Sequence, residues 1–286
     1  MAEVTPTTIF HVSSYTIQRL KRIQSLLDQL DPQAPSQALV VPGSPTPEGK
    51  IIVFPGSFNP PTIAHLALLK QAWQFARVHG PMLVYTAFST HITNKERVQR
   101  PLLLDRIVLL ERVLRNHLRH TGIMLFNRGL YVEQAAAVRK AFPRVSDLYF
   151  LIGFDKIVQI FDPHYYKDRD QALHELFEQA EFLVAPRGEA GPEDLVELLN
   201  QLENRQYAAH IHTLPLNAVY RNISSTSIRQ GLSVHEQEVP SEVQCFIHQT
   251  RAYDPPVIRQ DGAEIDQYGE RIRAIESILK ITDVEM

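Results

Sequence analysis

Cysteine is almost absent: Cys245 is the single one in 286 residues. No disulfide can close within the chain, and no Cys/His cluster has the spacing of a zinc site. No apolar run approaches the roughly 18 residues that cross a bilayer. The first residues lack the basic start and apolar core of a signal peptide. Basic surplus is missing too, since 29 Lys and Arg against 32 Asp and Glu leave a net charge of −3. That excludes a global positive field for non-specific nucleic-acid binding, so a site for a polyanion has to be built locally. No internal repeat interrupts the chain. With 44% hydrophobic and 21% charged residues, the expectation is a reduced, cytoplasmic, globular protein with neither nucleic acid nor membrane as partner. Cys245, in the apolar run Gln244-Cys245-Phe246-Ile247, reads as a small core residue.

What is present divides into three parts. Over residues 13–30, Ile17, Leu20, Ile23, Leu27 and Leu30 recur at spacings of three and four, which predicts an amphipathic helix. Pro32, Pro35, Pro42, Pro45 and Pro47 follow, a density that forbids a continuous helix or a central strand. Residues 1–49 therefore read as a helix, docking on the body or on a partner, plus a proline-rich linker. From 50 to 254, short apolar runs at 50–54, 82–88, 122–126, 148–152, 182–185 and 210–214 alternate with helical patterns at 65–78, 102–118, 131–142, 171–180 and 193–206. Strands apolar throughout are buried on both faces. The alternation predicts an α/β fold, a Rossmann-like doubly wound parallel sheet with helices on both faces. Ligands of such sheets bind beyond the carboxyl ends of the strands, at the switch point. Helices at 241–252 and, in the extension 255–286, at 263–281 end the pattern. The last, with Ile265, Tyr268, Ile272, Ile275 and Leu279, reads as packing on the body, with a dimer-forming helix and a homo-oligomer as the alternative.

The first strand runs into Pro55-Gly56-Ser57-Phe58-Asn59-Pro60-Pro61-Thr62-Ile63-Ala64-His65, and a helix follows. Gly56 leaves its backbone open to a phosphate. Thr62 is a good N-cap, and His65 falls in the first turn, where free N–H groups and the helix dipole favour an anion. Near the other end stands Asn222-Ile223-Ser224-Ser225-Thr226-Ser227-Ile228-Arg229. Its hydroxyls can cap a helix or bind phosphate oxygens, and Arg229 can offer them a bidentate fork.

The first segment resembles the signature of the nucleotidyltransferase superfamily, Gly-x-Phe-Asp-Pro-x-(His/Thr)-x-Gly-His. Gly56, Phe58, Pro60 and His65 match, and Thr62 takes the first-histidine position. Asn59 stands where Asp is usual and Ala64 where Gly is usual. Ile223-Ser224-Ser225-Thr226-x-Ile228-Arg229 resembles the superfamily's second signature, about 160 residues on. Leu151-Ile152-Gly153-Phe154-Asp155 is similar to the Gly-x-Asp element of the nicotinamide and nicotinate mononucleotide adenylyltransferases, whose Asp lies near ribose hydroxyls. Lys95, and Arg106 in Leu103-Leu104-Asp105-Arg106, resemble that family's phosphate-facing segment, and Arg187 in Val184-Ala185-Pro186-Arg187-Gly188 resembles its strand-end arginine region more loosely.

The resemblance implies transfer of AMP from ATP to a phosphorylated small-molecule acceptor, with pyrophosphate leaving. Gly56, Ser57, Phe58, Gly153, Asp155, Ser224, Ser225 and Thr226 are then expected to bind the nucleotide. His65 acts on the α-phosphate assisted by Thr62, and Arg229 joins the serines on the β- and γ-phosphates. Lys95, Arg106, Tyr165 and Tyr166 are expected at the acceptor, the tyrosines stacking on its pyridine ring. Mg²⁺ would come bound to ATP, with no metal ligands of the protein's own. Two other readings stay open: another phosphorylated acceptor with adenylyl or cytidylyl transfer, and a nucleotide-binding regulatory module with weak catalysis, which Asn59 and Ala64 keep in view.

Overall fold

The computed structural model describes residues 14–90, 100–230, 236–258 and 264–280. In chain order, α1 (Ser14–Leu27), β1 (Ala38–Val40), β2 (Gly49–Pro55), α2 (Ile63–His79), β3 (Met82–Ser89), α3 (Leu103–His117) and β4 (Thr121–Phe126) come first. Next are α4 (Tyr131–Ala141), β5 (Val145–Gly153), α5 (Phe154–Phe161), α6 (Arg169–Gln179), β6 (Glu181–Ala185), α7 (Pro192–Asn200) and β7 (Ile211–Thr213). The short α8 (Ala218–Arg221) and α9 (Ser225–Arg229) precede α10 (Ser241–Thr250), and a hairpin of Val257–Ile258 with Glu264–Ile265 leads to α11 (Gln267–Lys280).

Seven strands form one sheet in the order β1-β4-β3-β2-β5-β6-β7. Every pairing is parallel except that of β1 with β4. Successive strand residues face opposite sides. Ile52, Val84, Leu125, Leu151 and Leu183 pack under α1, α2, α3 and α11, while Ile51, Val53, Phe150, Ile152 and Phe182 pack under α4, α5, α6 and α7. Helices therefore cover both faces, as the continuous apolar strands require. The strand order reverses between β2 and β5, so a crevice opens there above the carboxyl ends. Among the described residues no helix is long and apolar enough to cross a membrane.

The stretch read as a proline-rich linker supplies a strand. β1 joins the sheet at its edge, where prolines beside it interrupt no inner ladder. Asn127, wholly buried at the end of β4, secures the preceding turn: its Oδ1 accepts from the Gln37 N–H at 2.7 Å and its Nδ2 donates to Asp31 O at 2.8 Å. α1 docks on α3, with Leu20 and Ile23 buried and Arg19 paired to Glu111 at 2.5 Å. The helix expected over 193–206 stops at Asn200 because the buried Asn204 side chain donates to Leu198 O at 3.0 Å, a carbonyl that a longer helix would use. Cys245 is half-buried on α10 rather than in the core.

α11 packs on the body. Asp105 of α3 is 2% exposed, accepts from Arg271 at 2.6 and 2.9 Å, and accepts from the Tyr268 hydroxyl at 2.7 Å. The same hydroxyl accepts from the Leu102 N–H at 2.8 Å. The C-terminal helix thus holds the start of α3, which in turn supports the crevice.

Candidate active site

A cleft of about 290 Å³ lies over the ends of β2, β5 and β6, and both sequence motifs open into it. Gly56, Ser57, His65, Gly153, Asp155, Ser224, Ser225, Thr226 and Arg229 line it, and so does Arg187.

α2 begins with a reciprocal cap. The Thr62 hydroxyl accepts from the His65 N–H at 3.3 Å, and the Thr62 N–H donates to His65 Nδ1 at 2.9 Å. Histidine here fills the place that Glu or Gln takes in a capping box. A ring nitrogen that accepts from a backbone N–H carries no proton, so the imidazole proton sits on Nε2. Burial, then the Arg187 guanidinium, lowers the His65 pKa to about 3. The cleft is therefore faced by a neutral imidazole with Nε2–H as its donor. Thr62 itself is wholly buried. Expected at the phosphate, its hydroxyl instead serves the helix cap and stands 2.8 Å from Nδ1, so it orients the ring.

Phe58 also lies beneath the cleft, wholly buried, against Phe54, Phe88 and His65 at centroid distances of 5.4, 5.3 and 5.0 Å. Its φ of 41° is left-handed, which costs an L-residue roughly 1–2 kcal/mol. Burial of the ring offsets that cost. A Cβ added to Gly56 would stand 3.0 Å from the Phe58 ring. Glycine at 56 makes room for this phenyl group while it also lines the cleft. Asn59 is buried as well, accepting from the Tyr253 hydroxyl at 2.8 Å. Its substitution for Asp lies outside the cleft wall.

The second motif is fastened to the first. Ser225 Oγ donates to Pro60 O at 2.7 Å, and Arg229 Nη1 donates to Asn59 O at 2.7 Å. Ser224 caps α9, its Oγ accepting from the Ser227 N–H at 3.1 Å. Arg229 Nη2 lies 3.3 Å from Thr226 Oγ1. Hydroxyls and a guanidinium thus share the cleft with His65, although Ser225 and half of Arg229 are spent on joining the loops.

On the β5 side, Asp155 stands in the first turn of α5 and meets Arg187 Nε at 3.7 Å. A Cβ on Gly153 would fall 2.7 Å from Asp155 Oδ1 and 3.3 Å from Arg187 Cδ, so a side chain at 153 would have to displace this pair.

The expected acceptor residues are mostly elsewhere. Arg106 is 7% exposed on α3 and donates to Ser57 O at 3.2 Å, which places it behind the first loop as a support. Tyr165 is 40% exposed in the 3-10 turn Pro163–Tyr165, outside the cleft wall. Tyr166 packs against the core, and burial pushes its phenol up to about 12. Lys95 lies outside the described residues. Sequence reasoning missed Tyr131, Lys156, Tyr220 and Arg221, which line the cleft. Tyr131 opens α4, just past the carboxyl end of β4, a position that the switch-point rule could have flagged. Burial raises its phenol pKa, with the Asp155 carboxylate adding to the shift.

The model of the cytidylyltransferase-like family matches residues 53–231, which span both motifs. The chain belongs to this family of nucleotidyltransferases. Its members pair a nucleotide with a phosphorylated acceptor, which fits a cleft lined by three arginines, Arg187, Arg221 and Arg229. An Acholeplasma laidlawii protein named a probable nicotinate-nucleotide adenylyltransferase is 24% identical over 209 residues, 71% of this chain and 97% of that protein. A Schizosaccharomyces pombe protein, provisionally named a nicotinamide mononucleotide adenylyltransferase, is 24% identical over 208 residues, 68% of this chain and 80% of its own length. A solved structure from Vibrio parahaemolyticus, provisionally named a nicotinate-nucleotide adenylyltransferase, superimposes with a TM-score of 0.40 at 16% identity, covering 70% of this chain and 99% of that one.

Proposed function

We propose that the chain transfers AMP from ATP to nicotinamide or nicotinate mononucleotide and releases pyrophosphate. The observation that carries this reading is the neutral Nε2–H of His65 sharing one cleft with Thr226 and Arg229, over the switch point of the sheet. The acceptor's phosphate is the nucleophile and is already anionic, so no strong general base is required. Catalysis is then positioning together with charge stabilisation at the α-phosphorus.

His65 donates from Nε2 to an α-phosphate oxygen, where negative charge builds as the new bond forms. The start of α2 lies beside it and its dipole acts in the same direction. Thr226, Ser224 and Arg229 hold the β- and γ-phosphates and then the departing pyrophosphate. Asp155 accepts from ribose hydroxyls, and Tyr131 offers a flat face to the pyridine ring in the place first given to Tyr165 and Tyr166. The names of the two relatives, one for each pyridine nucleotide, support keeping both acceptors.

Asp155 is the one carboxylate in the described wall, and it meets Arg187. No group of three His, Cys, Asp or Glu among the described residues could hold a metal ion. Mg²⁺ would come to the site on ATP, held by phosphate oxygens, where it would neutralise part of their charge.

The test is pyrophosphate release by the purified chain with ATP and Mg²⁺, offering each mononucleotide separately and detecting the dinucleotide. Dinucleotide from either acceptor is the expected result. ATP binding without dinucleotide from either would overturn the acceptor assignment in favour of a different phosphorylated acceptor.

A further inference from the structure

A second cavity, of about 340 Å³, lies between α1, α3, the turn after β1 and the start of β4. It shares no lining residue with the cleft. β1 runs antiparallel to β4, so the turn that follows it returns to the amino-terminal end of β4. The cleft stands over the carboxyl ends. The two sites are thus at opposite ends of the sheet.

Charge sets this cavity apart. Arg19, Arg22, Arg115 and Arg119 line it, and Glu111 is its one carboxylate. Four guanidiniums facing one carboxylate leave a surplus of three positive charges, in a chain whose net charge is −3. Glu111 is committed to Arg19, at 2.5 and 3.1 Å, and reaches Arg115 only at 4.0 Å. The carboxyl-terminal turn of α3 beside the cavity presents roughly half a negative charge. That dipole and Glu111 together offset fewer than two of the four cations, so a helix-capping role does not account for the cluster.

Arg19 is held in place, 13% exposed, with Nη2 also donating to Pro42 O at 2.8 Å. Arg22 and Arg119 are exposed and Arg115 is 63% exposed, so their forks are available to a ligand. The volume lies within the usual ~300–1,000 Å³ of small-molecule sites. Guanidinium forks match phosphate oxygens in pairs.

We propose that this cavity is a second anion site, taking a small molecule that carries two or more linked phosphates, and that it is separate from the catalytic cleft. The inference stands on the cavity's own residues and goes beyond the adenylyl-transfer reading. Free pyrophosphate and the polyphosphate of a nucleotide share the chemistry that would be recognised.

The test is isothermal titration of the full chain with inorganic pyrophosphate and, separately, with ATP. Three proteins are compared: the wild type, the cavity variant Arg22→Gln/Arg119→Gln, and the cleft variant Arg187→Gln/Arg229→Gln. All four substituted positions are at least partly exposed, and Arg119→Glu alone gives an independent cavity variant. The cleft variant should retain one pyrophosphate site per chain. The cavity variants should weaken that site tenfold or more, and Arg119→Glu should do so most. Matching affinities of the cavity for pyrophosphate and ATP would assign recognition to the phosphates alone, and a tenfold preference for ATP would add the nucleoside; either supports the site. Loss of all pyrophosphate binding in the cleft variant, or unchanged isotherms in both cavity variants, would overturn it. Neither of those results depends on which acceptor the cleft uses.

Discussion

His65 links the cap of α2 to the chemistry of the cleft, and its protonation can be read from stability. In the folded chain burial holds its pKa at about 3, while an unfolded histidine titrates near the ordinary value of 6.5. Between those values the unfolded chain binds a proton at this residue and the folded chain does not. Stability from the neutral imidazole is therefore fully present above pH 6.5 and is lost as pH falls toward 3. At pH 5 the unfolded group lies about 1.5 units below its pKa, which corresponds to roughly 2 kcal/mol at ~1.36 kcal/mol per unit. The residue keeps intermediate exposure, and solvent offsets part of the penalty, so about 1–2 kcal/mol is expected. His65→Gln removes the titration and keeps an acceptor for the Thr62 N–H, since Gln is itself a capping-box residue. Urea unfolding of both proteins at pH 7.5 and pH 5 gives the difference directly, because the other titrating groups cancel. Wild type should lose about 1–2 kcal/mol more than the variant over this interval. Parallel losses would refute a buried neutral imidazole, and with it the Nε2–H donor.

Other consequences are equally specific. His65→Ala should lower turnover by roughly 10²–10³-fold with little change in ATP binding, as expected for a donor that acts mainly in the transition state; an equal fall in both, by single-turnover kinetics and titration, would remove that role. Gly56→Ala drives a methyl to 3.0 Å from the Phe58 ring, so about 1–3 kcal/mol of stability should be lost in chemical denaturation. Asp105→Ala removes the 2% exposed carboxylate that accepts from both Arg271 and the Tyr268 hydroxyl. Thermal unfolding should report about 3–5 kcal/mol of destabilisation, and Asp105→Leu/Arg271→Met should recover most of it.

Much of the molecule could be read along the chain. The strands β2 to β6 declare themselves because both faces are covered and their residues are apolar without alternation. The cap at Thr62 is equally local, since a hydroxyl followed three residues later by an acceptor satisfies N–H groups within one turn. Residues whose partners are distant were misread. Arg106 looked like a phosphate ligand until α3 turned it toward Ser57 O, and the aromatic run at Tyr165 and Tyr166 proved to be a turn and a packing residue. Tyr131 gave no motif, and its place in the wall follows from where β4 ends.

The two signatures, their order and the apolar period determined the α/β class, the family and the pairing of a helix-start histidine with a serine-rich cap and arginine. Each signature and each apolar run depends on neighbours within a few residues, so one dimension records them. Tertiary structure decided the rest: that Gly56 yields to Phe58, that Arg229 and Ser225 fasten one motif to the other, and that a proline-studded stretch becomes an edge strand. It also gathered four arginines from α1, α3 and the loop after it around a single carboxylate. Each of these joins segments far apart in sequence, where burial and charge act through space and leave no local pattern.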